Sequence, residues 1–213
     1  MRRSINENSL IVSLKPKSPI SEEYRLLRTK IQFSSKDQEL KTVMVTSSQA
    51  GEGKSTTISN LAVAYAQEGK KVLLIDANLR KPSLHRIFSQ MNHQGLSTLL
   101  TGHTSVEDTI QATAVSHLSL LTSGPLSANP SELIDSPAMK ELLELLKQQY
   151  DLILMDTSSV LAVSDSVIIS ALCDGVVMVV AAGRAKKDHL KKAKEQLDHV
   201  NARMLGIVLN RVV

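Results

Sequence analysis

The ten residues Ser47-Ser48-Gln49-Ala50-Gly51-Glu52-Gly53-Lys54-Ser55-Thr56 constrain this chain more than any other stretch. They follow a short apolar run, Thr42 to Thr46, and open a helical pattern from about Ser55 to Gln67. In a glycine-rich turn between a strand and a helix, backbone N–H groups can close around phosphate oxygens. The helix N-terminus adds about half a unit of positive charge there. In such a loop a lysine at position 54 reaches the outer phosphates, and the Ser55 hydroxyl ligates Mg²⁺. The general pattern carries glycine where this chain has Ser48.

The rest of the chain repeats the alternation of strand and helix. Lys71 to Asp76, Asp151 to Asp156, Gly175 to Ala181 and Met204 to Leu209 read as strands, and His117 to Thr122 as a weaker one. Most are apolar along their length, as strands covered on both faces should be. Helices are expected over Ala138–Gln149, Val163–Leu172 and Ala185–Val200. Regular alternation of this kind implies an α/β, doubly wound, mainly parallel sheet with crossover helices on both faces. All 213 residues are read as one domain. Residues 1–20 are expected to be an irregular lead-in, with Pro16 and Pro19 framing a break. A helix over 21–33 follows, capped by Ser21, with Tyr24, Leu27 and Ile31 as its apolar stripe.

A phosphate site of this kind also needs carboxylates near the metal. Asp76 and Asp156 each end an apolar strand, at the edge where parallel sheets bind ligands. Composition narrows the class further. A net charge of +4 and an aromatic share of 2% argue against a nucleic-acid binder. One cysteine excludes an internal disulfide and suits a reducing compartment. The longest apolar stretch, Val176 to Ala182, is far short of the ~20 residues a membrane span requires. Met1-Arg2-Arg3 runs directly into polar residues, so a soluble, cytoplasmic protein is expected. Lys186, Lys187, Lys191, Lys192 and Lys194 read as a solvated basic face, and Cys173 as a small buried side chain.

Asp76-Ala77-Asn78-Leu79-Arg80-Lys81-Pro82 resembles the Asp-x-Asp-x-Arg segment that bacterial protein-tyrosine kinases carry as a second Walker motif. The likeness extends over nearly the whole chain. Glu22, Arg25 and Arg28 match that family's oligomerisation helix. Gly95-Leu96-Ser97, Leu100-Thr101-Gly102 and Gly124 through Asn129-Pro130-Ser131-Glu132-Leu133 match family turns. Gly206 to Arg211 resembles the closing strand, whose asparagine, here Asn210 beside Arg211, recognises adenine in related ATPases. The chain departs from the family pattern in three places. Ala50 replaces a proline, Thr157-Ser158-Ser159 replaces Thr-Pro-Pro, and Asn78 replaces the second acid of Asp-x-Asp.

The resemblance implies a P-loop kinase that phosphorylates protein tyrosines with MgATP and regulates capsular or extracellular polysaccharide synthesis. It further implies a homo-oligomer recruited to the inner face of the membrane by a transmembrane modulator, without inserting itself. ATP would lie across residues 48–56 and Asn210–Arg211. Lys54, Asp76, Asn78, Arg80 and Asp156 would form the catalytic set, and Ser55, Asp76 and Asp156 would hold the metal. Because an amide takes no proton at neutral pH, Asp76 rather than Asn78 is the expected acceptor for the tyrosine proton. Two other readings stay open. One is a nucleotide-binding scaffold weakened at Asn78. The other is a partition- or septum-type ATPase switch, although Ser47-Ser48-Gln49 lacks the extra lysine such switches carry.

Overall fold

The structure is a computed structural model that describes residues 10–34 and 39–212. The lead-in over residues 1–9, the boundary at Lys36-Asp37 and the terminal Val213 lie outside the described residues. The first half of the chain runs through α1 (Ile11–Leu14), α2 (Pro19–Phe33), β1 (Thr42–Ser47), α3 (Lys54–Gln67), β2 (Val72–Asp76), α4 (Leu84–Ile87), α5 (Leu96–Leu100) and α6 (Val106–Thr109). The remainder comprises β3 (Gln111–Ala112), β4 (Leu118–Leu121), α7 (Pro130–Ile134), α8 (Pro137–Gln149), β5 (Leu152–Asp156), α9 (Asp165–Leu172), β6 (Gly175–Ala181), α10 (Lys187–His199) and β7 (Met204–Asn210).

The strands form one sheet in the order β3-β4-β2-β5-β1-β6-β7. All neighbouring pairs are parallel except the two-residue β3, which pairs antiparallel with β4. The α/β class and the parallel sheet are thus as expected; the short antiparallel edge was not, because two residues carry no periodicity. β1 lies between β5 and β6, so the chain turns away from β1 in both directions. That is the topological switch where open α/β sheets bind ligands.

Every residue of β1, β2, β5 and β6 is buried. Their side chains alternate between two cores. Met44, Ile75, Met155 and Met178 pack with Leu143 and Leu146 of α8, Ile169 of α9 and Leu197 of α10. Val45, Leu74, Leu154 and Val177 pack with Ile58, Leu61 and Tyr65 of α3, Val12 of α1 and Ile31 of α2. This double coverage is why the strands read as continuous apolar runs.

Two expectations near the start are corrected. The lead-in is not irregular throughout, since α1 docks on α3 with Val12 N–H donating to Asn60 Oδ1 at 3.0 Å. A single turn is too short for an apolar period to reveal it. Helix α2 begins earlier than Ser21. Its N-cap is Ser18, whose hydroxyl accepts from Ser21 N–H at 3.2 Å, and Pro19 occupies the first turn, where no N–H is needed. Ser21 is buried instead and donates to the Lys15 carbonyl at 2.7 Å. The lysines of α10 are exposed, and Lys191 and Lys194 pair with Glu195 and Asp198 one turn on. Cys173, expected to be buried, is half-buried, and desolvation with the nearby Asp174 pushes its thiol up to about 12.

The family turn at Gly95 has a steric basis. A Cβ there would lie 2.1 Å from Gly124 N and 2.3 Å from Thr122 O, so the backbone bridge between Gly95 and Ser123 admits no side chain.

Candidate active site

β1 ends at Ser47 and α3 starts at Lys54, so the loop leaves the carboxyl edge of the central strand and feeds a helix N-terminus. Gly53, the N-cap, has φ of 99°. A Cβ on it would come within 2.0 Å of Asn210 Nδ2, so this position requires glycine on both counts. Gln49, Ala50, Gly51 and Thr56 are exposed, whereas Ser48, Glu52 and Lys54 are buried.

Glu52 holds the loop in shape. Its carboxylate accepts from Ser48 Oγ at 3.0 Å, Gln49 N–H at 2.8 Å and Ala181 N–H at 3.3 Å. Its carbonyl accepts from Asn210 Nδ2 at 3.0 Å. Ser48, Glu52 and Asn210 therefore brace the loop against the ends of β6 and β7. The Asn210 amide oxygen in turn accepts from the Arg211 N–H at 2.9 Å, and Arg211 is exposed with φ of 59°.

The two acids are brought together. Asp76 and Asp156 are register partners across β2 and β5, and neither is exposed to solvent. The Ser55 hydroxyl donates to Asp156 Oδ2 at 2.5 Å, joining the start of α3 to the end of β5. Burial pushes the Asp156 carboxyl up to about 7, with the neighbouring Asp76 charge adding to it and the Ser55 and Lys54 contacts opposing. Burial likewise raises Asp76 to about 6, against the pull of N–H bonds from Leu84, Ser83 and Asn78. Lys54 is lowered by burial, and the charges of Asp156 and Glu52 work against that shift.

Mg²⁺ fits this arrangement. Asp156 Oδ1 is buried and has no hydrogen-bond partner among the described residues. The other oxygen already touches the Ser55 hydroxyl. A hydroxyl and a carboxylate side by side, with a second carboxylate on the next strand, are hard oxygen donors of the kind Mg²⁺ takes.

Asp76 is more tightly engaged than a free base. Its Oδ2 accepts from Ser83 N–H and Leu84 N–H, both at 2.9 Å, and its Oδ1 accepts from Asn78 N–H at 3.3 Å. It thereby caps α4 and fixes the turn 77–83. Asn78, half-buried, accepts from Lys81 N–H at 3.2 Å through its side chain, a turn-forming contact.

Arg80 is not aimed at the loop. Its guanidinium forks onto Asp165, Nε at 2.8 Å from Oδ2 and Nη2 at 3.1 Å from Oδ1, and Nη2 also reaches Ser131 Oγ at 2.9 Å. Sequence reasoning named neither Asp165 nor Ser131 as a site residue. The available signal was Ser131 within the Asn129-Pro130-Ser131 match, but nothing local ties it to residue 165.

The α2 trio separates. Glu22 and Arg25 pair with each other on an exposed face, and Arg25 also donates to the Pro16 carbonyl at 2.7 Å. Arg28 turns inward, donating to the Ala64 carbonyl at 2.9 Å and lying 3.5 Å from Glu68 of the segment after α3.

A family described as an AAA domain matches residues 40–204, a span that holds the loop and both acids. Tyrosine-protein kinase YwqD of Bacillus subtilis is 46% identical over 209 residues, covering 98% of this chain and 88% of its own. The crystal structure of the chimerical protein CapA2B2 superimposes with a TM-score of 0.93 at 44% identity, covering 96% of this chain and 90% of that one. The kinase domain of Escherichia coli tyrosine kinase ETK superimposes equally well, with a TM-score of 0.93 at 30% identity, over 100% of this chain and 85% of its own. Similarity of this extent, at 46% identity over 98% of the chain, makes this chain a member of the bacterial tyrosine-protein kinase family.

Proposed function

We propose that this tyrosine-protein kinase transfers phosphate from MgATP to protein tyrosines, itself or its substrates, in the control of capsular or extracellular polysaccharide synthesis. The observation that supports it most is the Ser55–Asp156 contact beneath the phosphate loop, with Asp76 alongside in register. Lys54 and the first-turn N–H groups of α3 would bind the phosphates. Ser55 and Asp156 would hold Mg²⁺, which when bound neutralises charge on the phosphate oxygens. Glu52 and Asn210 keep the loop in place, and Asn210 is the residue next to the loop that would meet the base. A tyrosine hydroxyl, with pKa ~10, needs an acceptor for its proton. Among the described residues Asp76 Oδ1 accepts only the long bond from Asn78 N–H, so it retains the capacity to accept. Because Asp76 is fully buried, the proton would pass to it through a bridging water, with the turn 77–83 left in place.

Among the described residues no helix is long and apolar enough to cross a membrane. We therefore assign membrane recruitment and activation to a transmembrane modulator, and oligomerisation to the exposed Glu22–Arg25 face of α2. The test is purified chain with and without a modulator's cytoplasmic tail, given MgATP and assayed for phosphotyrosine. Tail-dependent phosphotyrosine is expected, and its absence under both conditions overturns the reading. Flotation with protein-free anionic liposomes at physiological salt should leave the chain in solution, because a net charge of +4 gives only screened attraction.

A further inference from the structure

Three segments that leave the carboxyl edge of the sheet converge on one carboxylate. Arg80 comes from the turn after β2, four residues past Asp76. Ser131 stands at the start of α7, and Asp165 opens α9, nine residues past Asp156. The Asp165 side chain is 1% exposed and receives Arg80 Nε at 2.8 Å, Arg80 Nη2 at 3.1 Å and Ser131 Oγ at 2.6 Å. Burial alone would raise this carboxyl, yet the bonds from Arg80 and Ser131 outweigh it and hold the group below the usual range.

We propose that Arg80, Asp165 and Ser131 form a positioning latch that holds the Asp76-bearing turn and the Asp156-bearing loop at their working separation. This rests on the kinase reading and replaces the expected catalytic role of Arg80 with an indirect one. The geometry argues for it in two ways. Nε and Nη2 of the guanidinium are already committed to a buried carboxylate in a two-point fork. An arginine serving the transferred phosphoryl group would present that fork to the phosphate oxygens instead. The pair also bridges the strands at their most consequential point. The β2–β5 register ends at Asp76 and Asp156, where Ala77 N–H donates to the Asp156 carbonyl at 2.9 Å. The contact between residues 80 and 165 ties the segments that follow the two strands together farther along the chain. On the 157–164 side, Val160 N–H donates to the Ser47 carbonyl at 2.9 Å, so the latched loop is also tied to the mouth of the phosphate loop.

A double-mutant cycle on the full chain tests this. Arg80→Ala, Asp165→Asn and their combination are compared for kcat and for the KM of MgATP, with melting curves and binding of a fluorescent ADP analogue alongside. Each single variant should lower kcat about tenfold or more while KM stays within about threefold, since small misplacements of reacting groups commonly cost up to 10²-fold. The double variant should be no slower than the slower single one. Arg80→Lys should behave like Arg80→Ala, because one ammonium cannot replace the fork. Losses that multiply in the double variant, or an Arg80→Ala defect confined to KM and analogue affinity, would mean that Arg80 acts on the nucleotide itself and would overturn the latch. If Asp165→Asn does not fold, Ser131→Ala takes its place in the cycle with the same criteria. If the wild type makes no phosphotyrosine, the kinase reading fails separately, and the cycle is read on ATP hydrolysis.

Discussion

Asp76 and Asp156 are direct register partners on adjacent parallel strands, and neither side chain is exposed. Two carboxyls this close in a dry interior cannot both ionise without cost, so the fold stores a penalty that a bound cation would remove. In the unfolded chain both titrate near 3.9, whereas in the fold they are pushed up to about 6 and about 7. The folded state therefore binds protons more tightly than the unfolded state over that interval. The stability of the ligand-free protein should fall as pH rises from about 4 toward 7, and the full penalty applies above that. Melting curves across this range check the slope, and Mg²⁺ with nucleotide should flatten it.

Asp156→Asn separates stability from function. The amide can still accept from Ser55, but it removes one buried charge from the pair. At pH 8 the ligand-free variant should melt higher than the wild type, by about 2–4 °C for each kcal/mol recovered in a chain of this size. Phosphotyrosine formation should drop by about 10²-fold or more, because the metal-facing carboxylate is gone. A lower melting temperature would show that the carboxylate stabilises the apo fold.

Lys54→Met should strongly weaken productive nucleotide binding. Charge-assisted hydrogen bonds contribute about 1.5–3 kcal/mol each, which corresponds to roughly ten- to hundredfold in affinity or rate. Calorimetry with MgATP is the direct measurement. Affinity and turnover both unchanged would remove the loop from the mechanism.

Asn78→Asp should accelerate tyrosine phosphorylation at least about tenfold, with ATP affinity little changed. Removing a proton-accepting or charged group from such a site commonly costs about 10²–10⁴ in rate, and this substitution restores one. The turn itself should survive, because an aspartate accepts from Lys81 N–H as the asparagine does. Equal phosphotyrosine rates for the two proteins, with modulator tail present, would limit position 78 to its turn contact.

The α2 arginines should part company on substitution. Arg25→Ala touches only the exposed Glu22 pair and the Pro16 carbonyl, so light scattering should show a smaller assembly with the melting temperature nearly unchanged. Arg28→Ala removes an inward bond to the Ala64 carbonyl and the contact with Glu68, so it should lower the melting temperature as well. An unchanged mass for both variants would make this face plain surface.

The parallel α/β architecture, the loop at the strand–helix junction and the two acids that each end an apolar strand were all legible in the sequence. Those features are local. An apolar run of five residues records burial on both faces, and Gly51-Glu52-Gly53-Lys54-Ser55 records a turn that must admit phosphate. It did not disclose α1 or β3, which are shorter than any period. Nor did it place the cap of α2, where Ser18 and Ser21 compete and Pro19 decides. The partner of each polar side chain was set by the packing of distant elements. The motif resemblance puts Arg80 in the catalytic set, yet a carboxylate 85 positions away claims its fork. Glu52 and Asn210, 158 positions apart, meet only because β7 returns beside β6. Arg28 shares a helical face with Arg25 in sequence but reaches α3 in space. Buried polar groups must find partners, and which partners lie within 3 Å follows from how distant strands and helices pack, a property no local pattern contains.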